Sequence, residues 1–135
     1  MYGLDGAPWC FTKEFPEINA YTFTIEGMTA ADSKKVDVDE FQIILKASLG
    51  ERNPSEAGCR IGGEKYMFVG HEDSTKCTQL SKRGGGAAIC RTNTGVVMAT
   101  YTKDKPTATK GTYQNLGDCS QQVIDMAMYL RSLGV

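Results

Sequence analysis

Between Cys59 and Thr102 the chain alternates short apolar runs with short polar or glycine-rich breaks. The runs are Cys59–Ile61, Lys65–Val69, Cys77–Ser81, Ala87–Thr92 and Val96–Thr102. The breaks contain Gly62-Gly63, Glu72-Asp73-Ser74, Gly84-Gly85-Gly86 and Asn93-Thr94-Gly95. Parallel neighbours need a crossover of about a dozen residues or more, and none of these breaks is long enough. Consecutive strands must therefore pair as hairpins, which predicts an antiparallel meander. Val96, Val97 and Met98 are continuously apolar, as expected of a central strand covered on both faces.

Elsewhere the apolar period changes. Val38, Phe41, Ile44, Leu45 and Leu49 recur at helical spacing, with Asp37 or Asp39 near the start and Gly50 at the end. These are the cap signals of an amphipathic helix. A second helix closes the chain, with Asp118 or Ser120 as its cap, Val123, Met126, Ala127 and Leu130 as its inner stripe, and Gly134 as its stop. Ahead of the first helix, DGAPW reads as a turn at Asp5-Gly6 followed by a short strand through Trp9 and Phe11. Tyr21, Phe23 and Ile25 alternate with Thr22, Thr24 and Glu26 and predict a short extra strand. ERNPSEAG, residues 51–58, reads as a surface loop, and KDKPTATKGTYQNLGD as a long polar connection. The order predicts an α+β domain with helices packed on an antiparallel sheet.

With 135 residues the chain fits one domain and one core. Fifteen basic against sixteen acidic residues give a net charge of -1, which argues against nucleic-acid binding, since that rests on a surplus of Lys and Arg. No apolar run approaches the roughly 20 residues of a membrane helix, and MYGLDGAPWCF lacks the basic start and apolar stretch of a signal peptide. Cys10, Cys59, Cys77, Cys90 and Cys119 are odd in number and widely spread, with no CxxC pair and a single histidine, His71. Free thiols in a reducing cytosol are the expectation, with no metal site and no cofactor.

Catalytic signals are poor. KRGGGAA, residues 82–88, offers free backbone N–H groups beside Lys82 and Arg83, yet no Walker or dinucleotide pattern accompanies it, and a tight hairpin accounts for it better. His71 has no assignable nucleophile and carboxylate, and reads as an exposed loop histidine. Asp37, Asp39 and Glu40 fit capping and dipole complementation at a helix start better than a carboxylate pair. No catalytic residue is assigned. Trp9 and Tyr129 come from two terminal elements and could line a groove for a proline-rich strand, although on spacing alone filling the core is the better account of both.

DGAPW near the start, IGGEKYMFV in the middle, KRGGGAAICRTNTGVVMATY after it and VIDMAMYLRSLGV at the end resemble the profilin family, in order and over nearly the whole chain from about Gly3 to Val135. The resemblance implies a small cytosolic, non-enzymatic domain, with terminal helices on one face of a six- or seven-stranded sheet and smaller helices on the other. It also implies binding of monomeric actin and regulation of its polymerisation, proline-rich peptides and phosphoinositides as further partners, and a place in the cytoplasm and cytoskeleton.

Carried over position by position, the resemblance places actin contacts at Phe68, Gly70, Lys82, Arg83, Thr92, Thr94, Asp118, Gln121, Gln122 and Asp125. It places phosphoinositide contacts at Lys82, Arg83 and Arg91, expected to be weak at this net charge, and a proline-peptide groove at Trp9, Tyr129, Leu130 and Val135. Profilins carry an amphipathic N-terminal helix that supplies half of that groove, and here DGAPW lies too near the start to leave room for it. Residues 1–135 are therefore expected to form a single, N-terminally short profilin-like domain with weak or absent proline-peptide binding. Residues 17–36 and 103–115 are longer than the family usually has. The alternative of another class is a PAS-like or longin-like α+β module that holds a small ligand or a different protein partner.

Overall fold

The computed structural model describes residues 1–27, 29–54 and 58–135. Its elements in chain order are β1 (Tyr2–Gly3), β2 (Ala20–Ile25), β3 (Lys34–Asp39), α1 (Glu40–Ala47), β4 (Cys59–Ile61), β5 (Glu64–Glu72), β6 (Cys77–Lys82), β7 (Gly85–Arg91), β8 (Gly95–Thr102) and α2 (Leu116–Ser132), with a 3-10 turn at Ala30–Asp32. Six strands form one antiparallel sheet in the order β1-β8-β7-β6-β5-β4, while β2 and β3 pair separately. The meander is the one the short connections require.

Strand alternation sends side chains to two different cores. Leu80, Ala87, Ile89 and Met98 pack with Ile44 and Ala47 of α1 and with Ile61 and Tyr66. Cys77, Ala88, Cys90 and Val97 pack instead with Val123 and Ala127 of α2. The two helices thus cover opposite faces of the sheet, which explains why β7 from Gly85 to Cys90 and the first half of β8 are buried.

Several local expectations shift. The first helix begins at Glu40, with the Asp39 carboxylate accepting from the Gln42 N–H at 3.2 Å. Val38 belongs to β3, where it faces Tyr21 and is buried by strand alternation rather than helical spacing. The partner of the predicted strand at 21–25 is therefore KKVDVD, whose charged alternate positions hid it. Asn115, not Asp118 or Ser120, caps α2 by accepting from the Asp118 N–H at 2.9 Å, and Met126 is 42% exposed rather than part of the inner stripe. No strand runs through Trp9 and Phe11. Tyr2 makes a single bridge to Pro8, and the Trp9 and Cys10 N–H groups both turn back to the Met1 carbonyl. Of the loop at 51–58, residues 55–57 lie outside the described residues.

Only Arg83 and Gly84 form the β6–β7 turn, because Lys82 already pairs with Gly85. Gly85 and Gly86 lie inside β7. A Cβ at Gly86 would stand 2.4 Å from the Leu80 carbonyl oxygen and 2.8 Å from the Tyr101 ring, so the glycine permits close strand approach rather than an anion cradle.

Glu40 is fully buried at the first turn of α1. Its carboxylate accepts N–H groups from Gly62 at 3.0 Å and Gly63 at 2.8 Å in the β4–β5 turn, and the Tyr21 hydroxyl at 2.7 Å from β2. A buried carboxylate is tolerated only with such a complete set of donors. Glu40→Ala removes the acceptor from these three donors and from the Asn19 N–H at 3.5 Å. It is expected to cost about 2–4 kcal/mol, read as a lower urea midpoint with an unchanged slope.

Candidate functional site

Two hydrogen bonds fix how α2 lies. Near its start the Ser120 hydroxyl accepts from Gln79 of β6 at 3.0 Å; near its end Arg131 donates to the Thr75 carbonyl at 2.8 Å. At about 100° per residue, the flank of α2 on that β6 side carries Ile124, Gln121 and Met128. The opposite flank, toward β8 and β1, carries Cys119, Gln122, Met126 and Leu133.

Helix α2 packs mainly on β7 and β8 and less on β6. The α2-side face of β5 is consequently open. Met67 pairs with Ser81 and Gly70 with Gln79, both on the face that α2 partly covers. The register slips by one residue between Phe68 and Gly70, leaving Val69 as the extra residue of a bulge. Met67 is 72% exposed and Val69 is also exposed. On the β6 side of the early turns of α2 stands Gln121, with Asp118 and Asp125 on the outer side of the helix, all exposed, and the Gln121 amide donates to the Asp125 carboxylate at 2.8 Å; Gln122 is exposed on the opposite flank. This gives an apolar patch edged by amides and carboxylates.

The remaining carried-over positions do not join that patch. Phe68 points to the α1 side, half-buried against the first core, with the Arg52 guanidinium 4.9 Å above its ring. Lys82 shares the parity of Thr78 and Leu80 and so also points to the α1 side. There it pairs with Glu64 and lies 5.3 Å from the centre of the Tyr66 ring. The Glu64 carboxylate raises the Lys82 pKa. Arg83, exposed in the turn, is the member of the basic pair left open to solvent. Thr92 is buried, its hydroxyl accepting from the Gly95 N–H at 3.0 Å, and Arg91 is half-buried with its side chain on the Ser48 hydroxyl at 3.2 Å. Thr94 is exposed but binds the Val135 carbonyl through its N–H, about 25 Å along α2 from Asp118.

That far end gathers other residues. Trp9 lies over the backbone of Gly3 and Gly95, where a Cβ at Gly95 would stand 2.6 Å from the indole. Val135 meets the same turn through Thr94. Tyr129 is 60% exposed on the outer side of α2, Trp9 is 43% exposed, and Leu130 is half-buried against the second core.

The connection at 103–115 folds back as a hairpin rather than a loose loop. Thr107 donates its N–H to Thr112 at 3.0 Å, Gln114 to Lys105 at 2.9 Å, and the Thr102 N–H reaches the Gln114 side chain at 3.1 Å. It encloses, with β8 and the start of α2, a cleft of about 690 Å³ that reaches Asp118, Cys119, Gln121 and Gln122. The hairpin thus stands on the β8 side of the start of α2, away from β5.

His71 lies in β5 rather than in an exposed loop, with only 13% of its side chain accessible. The Thr78 hydroxyl donates to the Ala47 carbonyl at 2.5 Å, so it accepts from the His71 Nδ1–H at 2.7 Å, and Nε2 faces Asp73 at 3.2 Å. The ring ties the end of α1 to β5 and β6. All five cysteines are free thiols. Among the described residues no group of three or more His, Cys, Asp or Glu side chains could hold a metal, and no helix is long and apolar enough to cross a membrane.

Met67 and Val69 are the surface residues that sequence reading missed. An apolar side chain in a strand reads as core, and only the short reach of α2 exposes these two.

The Profilin family model matches residues 1–135. A profilin from Tetrahymena pyriformis is 29% identical over 141 aligned positions, covering 98% of this chain and 88% of that protein.

Burial raises the Cys59 thiol to about 12 and the Cys119 thiol to about 11. The unfolded thiols titrate near 9, so the folded state holds protons that the unfolded state releases. Both groups therefore support stability fully below pH 9 and withdraw that support as pH rises toward 11–12. Urea midpoints are expected to fall from pH 9 upward, and Cys119→Ala to flatten part of that fall.

Proposed function

Because the chain belongs to the profilin family, a non-enzymatic family of actin-binding proteins, we propose that it binds monomeric actin and regulates its polymerisation through the open patch between β5 and α2. The observation that carries this reading is the exposure of Met67 and Val69 beside the polar first turns of α2. A protein interface needs a desolvated apolar centre within a polar rim, and this is the arrangement here. Met67, Val69 and Gly70 supply the centre; Gln121, Asp118 and Asp125 supply the rim, and Gln122 extends it over the far flank of α2. Arg83 reaches the same partner from the hairpin tip, and Phe68 and Lys82 support the patch from beneath. Thr94 stands at the distant end of α2 and contributes at the margin, while the buried Thr92 shapes the turn that carries it.

The other family partners belong to different surfaces. Proline-rich peptides are expected to bind at most weakly, at Trp9, Tyr129, Leu130 and Val135, where exposed aromatic rings stand near the end of α2. Phosphoinositide headgroups would engage Arg83 first. Lys82 is already paired with Glu64, and Arg91 is committed to Ser48, so this binding is expected to be weak and salt-sensitive. The proposed location is the cytoplasm, with the actin cytoskeleton. A PAS-like or longin-like module rested on shared architecture alone, and the family match removes its basis.

The test is calorimetric titration with monomeric actin. Met67→Asp is expected to weaken binding by about tenfold or more, since a central contact of this kind is worth more than about 1 kcal/mol. Arg83→Glu is expected to weaken it less and mainly at low salt. Unchanged affinity in Met67→Asp, with an intact unfolding transition, would remove the patch from consideration.

A further inference from the structure

Cys77 opens β6 and Cys90 stands directly opposite it on β7. The Arg91 N–H bonds the Lys76 carbonyl at 3.1 Å, which makes 76 and 91 a hydrogen-bonded pair of the ladder. The next pair along, 77 and 90, is then a non-hydrogen-bonded one, where Cα atoms come to about 4.5 Å and side chains lie closest. That spacing falls at the near end of what a disulfide spans. Both side chains leave the same face of the sheet and lie under Val123 and Ala127 of α2.

Two further observations set this pair apart from the other thiols. The Arg131 guanidinium donates to the carbonyls of Thr75 and Arg91, the residues flanking the pair, and so brings a fixed positive charge to its edge. Cys119 is directed elsewhere, its thiol lying 3.6 Å from the Ala99 carbonyl of β8. The closeness of the two thiols lowers the Cys77 pKa and raises that of Cys90, so Cys77 is the one that ionises first.

We propose that Cys77 and Cys90 are an oxidisable dithiol, which hydrogen peroxide converts into a disulfide across β6 and β7. Cys77, 3% exposed, borders the exposed turn at Asp73, Ser74 and Lys76 and is the nearer of the two thiols to solvent. The Cys77 thiolate attacks one peroxide oxygen, the O–O bond breaks, and hydroxide leaves and takes up a proton as water. The resulting sulfenic acid is attacked at sulfur by Cys90, the S–O bond breaks, and the departing hydroxide takes the Cys90 proton. Two thiols lose two electrons in all, and one hydrogen peroxide becomes two waters. This assignment is independent of the actin reading.

The experiment treats the native full-length chain with hydrogen peroxide, removes the excess with catalase, alkylates in denaturant and maps the peptides. The expected product is a linked 77–90 peptide, lighter by two hydrogens and reopened by dithiothreitol. Cys90→Ser is expected to lose that peptide and leave Cys77 as a sulfenic acid trapped by dimedone; Cys90→Ala serves if the serine variant does not fold. Complete alkylation of Cys77 and Cys90 at peroxide doses that oxidise the exposed Cys10 overturns the proposal. So does linkage of Cys77 to Cys119, or a 77–90 link that forms only in urea.

Discussion

The Glu40 carboxylate joins parts of the chain that no ladder connects. It sits at the first turn of α1, takes two N–H groups from a turn 22 and 23 residues later, and takes the Tyr21 hydroxyl from the separate β2–β3 ribbon. Gly62 and Gly63 both adopt positive φ, which aims successive N–H groups at one acceptor. The ribbon, α1 and the β4–β5 turn are thereby held on one face of the sheet. With that face closed, the open edge of β5 faces the side of α2, where the polar patch stands.

The division of faces also decides which residues act together. Alternation puts Leu80 and Lys82 under α1, and Gln79 and Ser81 under α2, so neighbours in sequence serve different layers. A partner that docks beside the first turns of α2 meets Met67 and Gly70, and reaches Lys82 only around the hairpin tip. The 103–115 hairpin, held by its internal hydrogen bonds, borders the β8 side of the start of α2 instead.

Much of this was legible in the sequence, for reasons that can be named. Short breaks forced the antiparallel meander from Cys59 to Thr102, and the continuous apolar run at Val96–Met98 marked a doubly covered strand. What escaped reading was tertiary. Glu40 looks like a first-turn acid that complements a helix dipole, and nothing local reveals that Gly62 and Gly63 return to it. Strand β3 carries charge at Lys34, Lys35, Asp37 and Asp39, which masked the inward pair Val36 and Val38. Phe68 seemed the natural apolar contact, but the bulge and the parity of β5 turn it inward and leave Met67 outside. Sequence located the strand and missed the facing of its apolar residues by one position.

Hydrogen–deuterium exchange of the full chain, with and without monomeric actin, tests the location of the partner face most directly. The account predicts slowed exchange in β5 around residues 67–71 and in the first turns of α2 around 116–125, with β2, β3 and α1 unchanged. Protection confined to the α1 side of the sheet, or to the Trp9 end of α2, would contradict it.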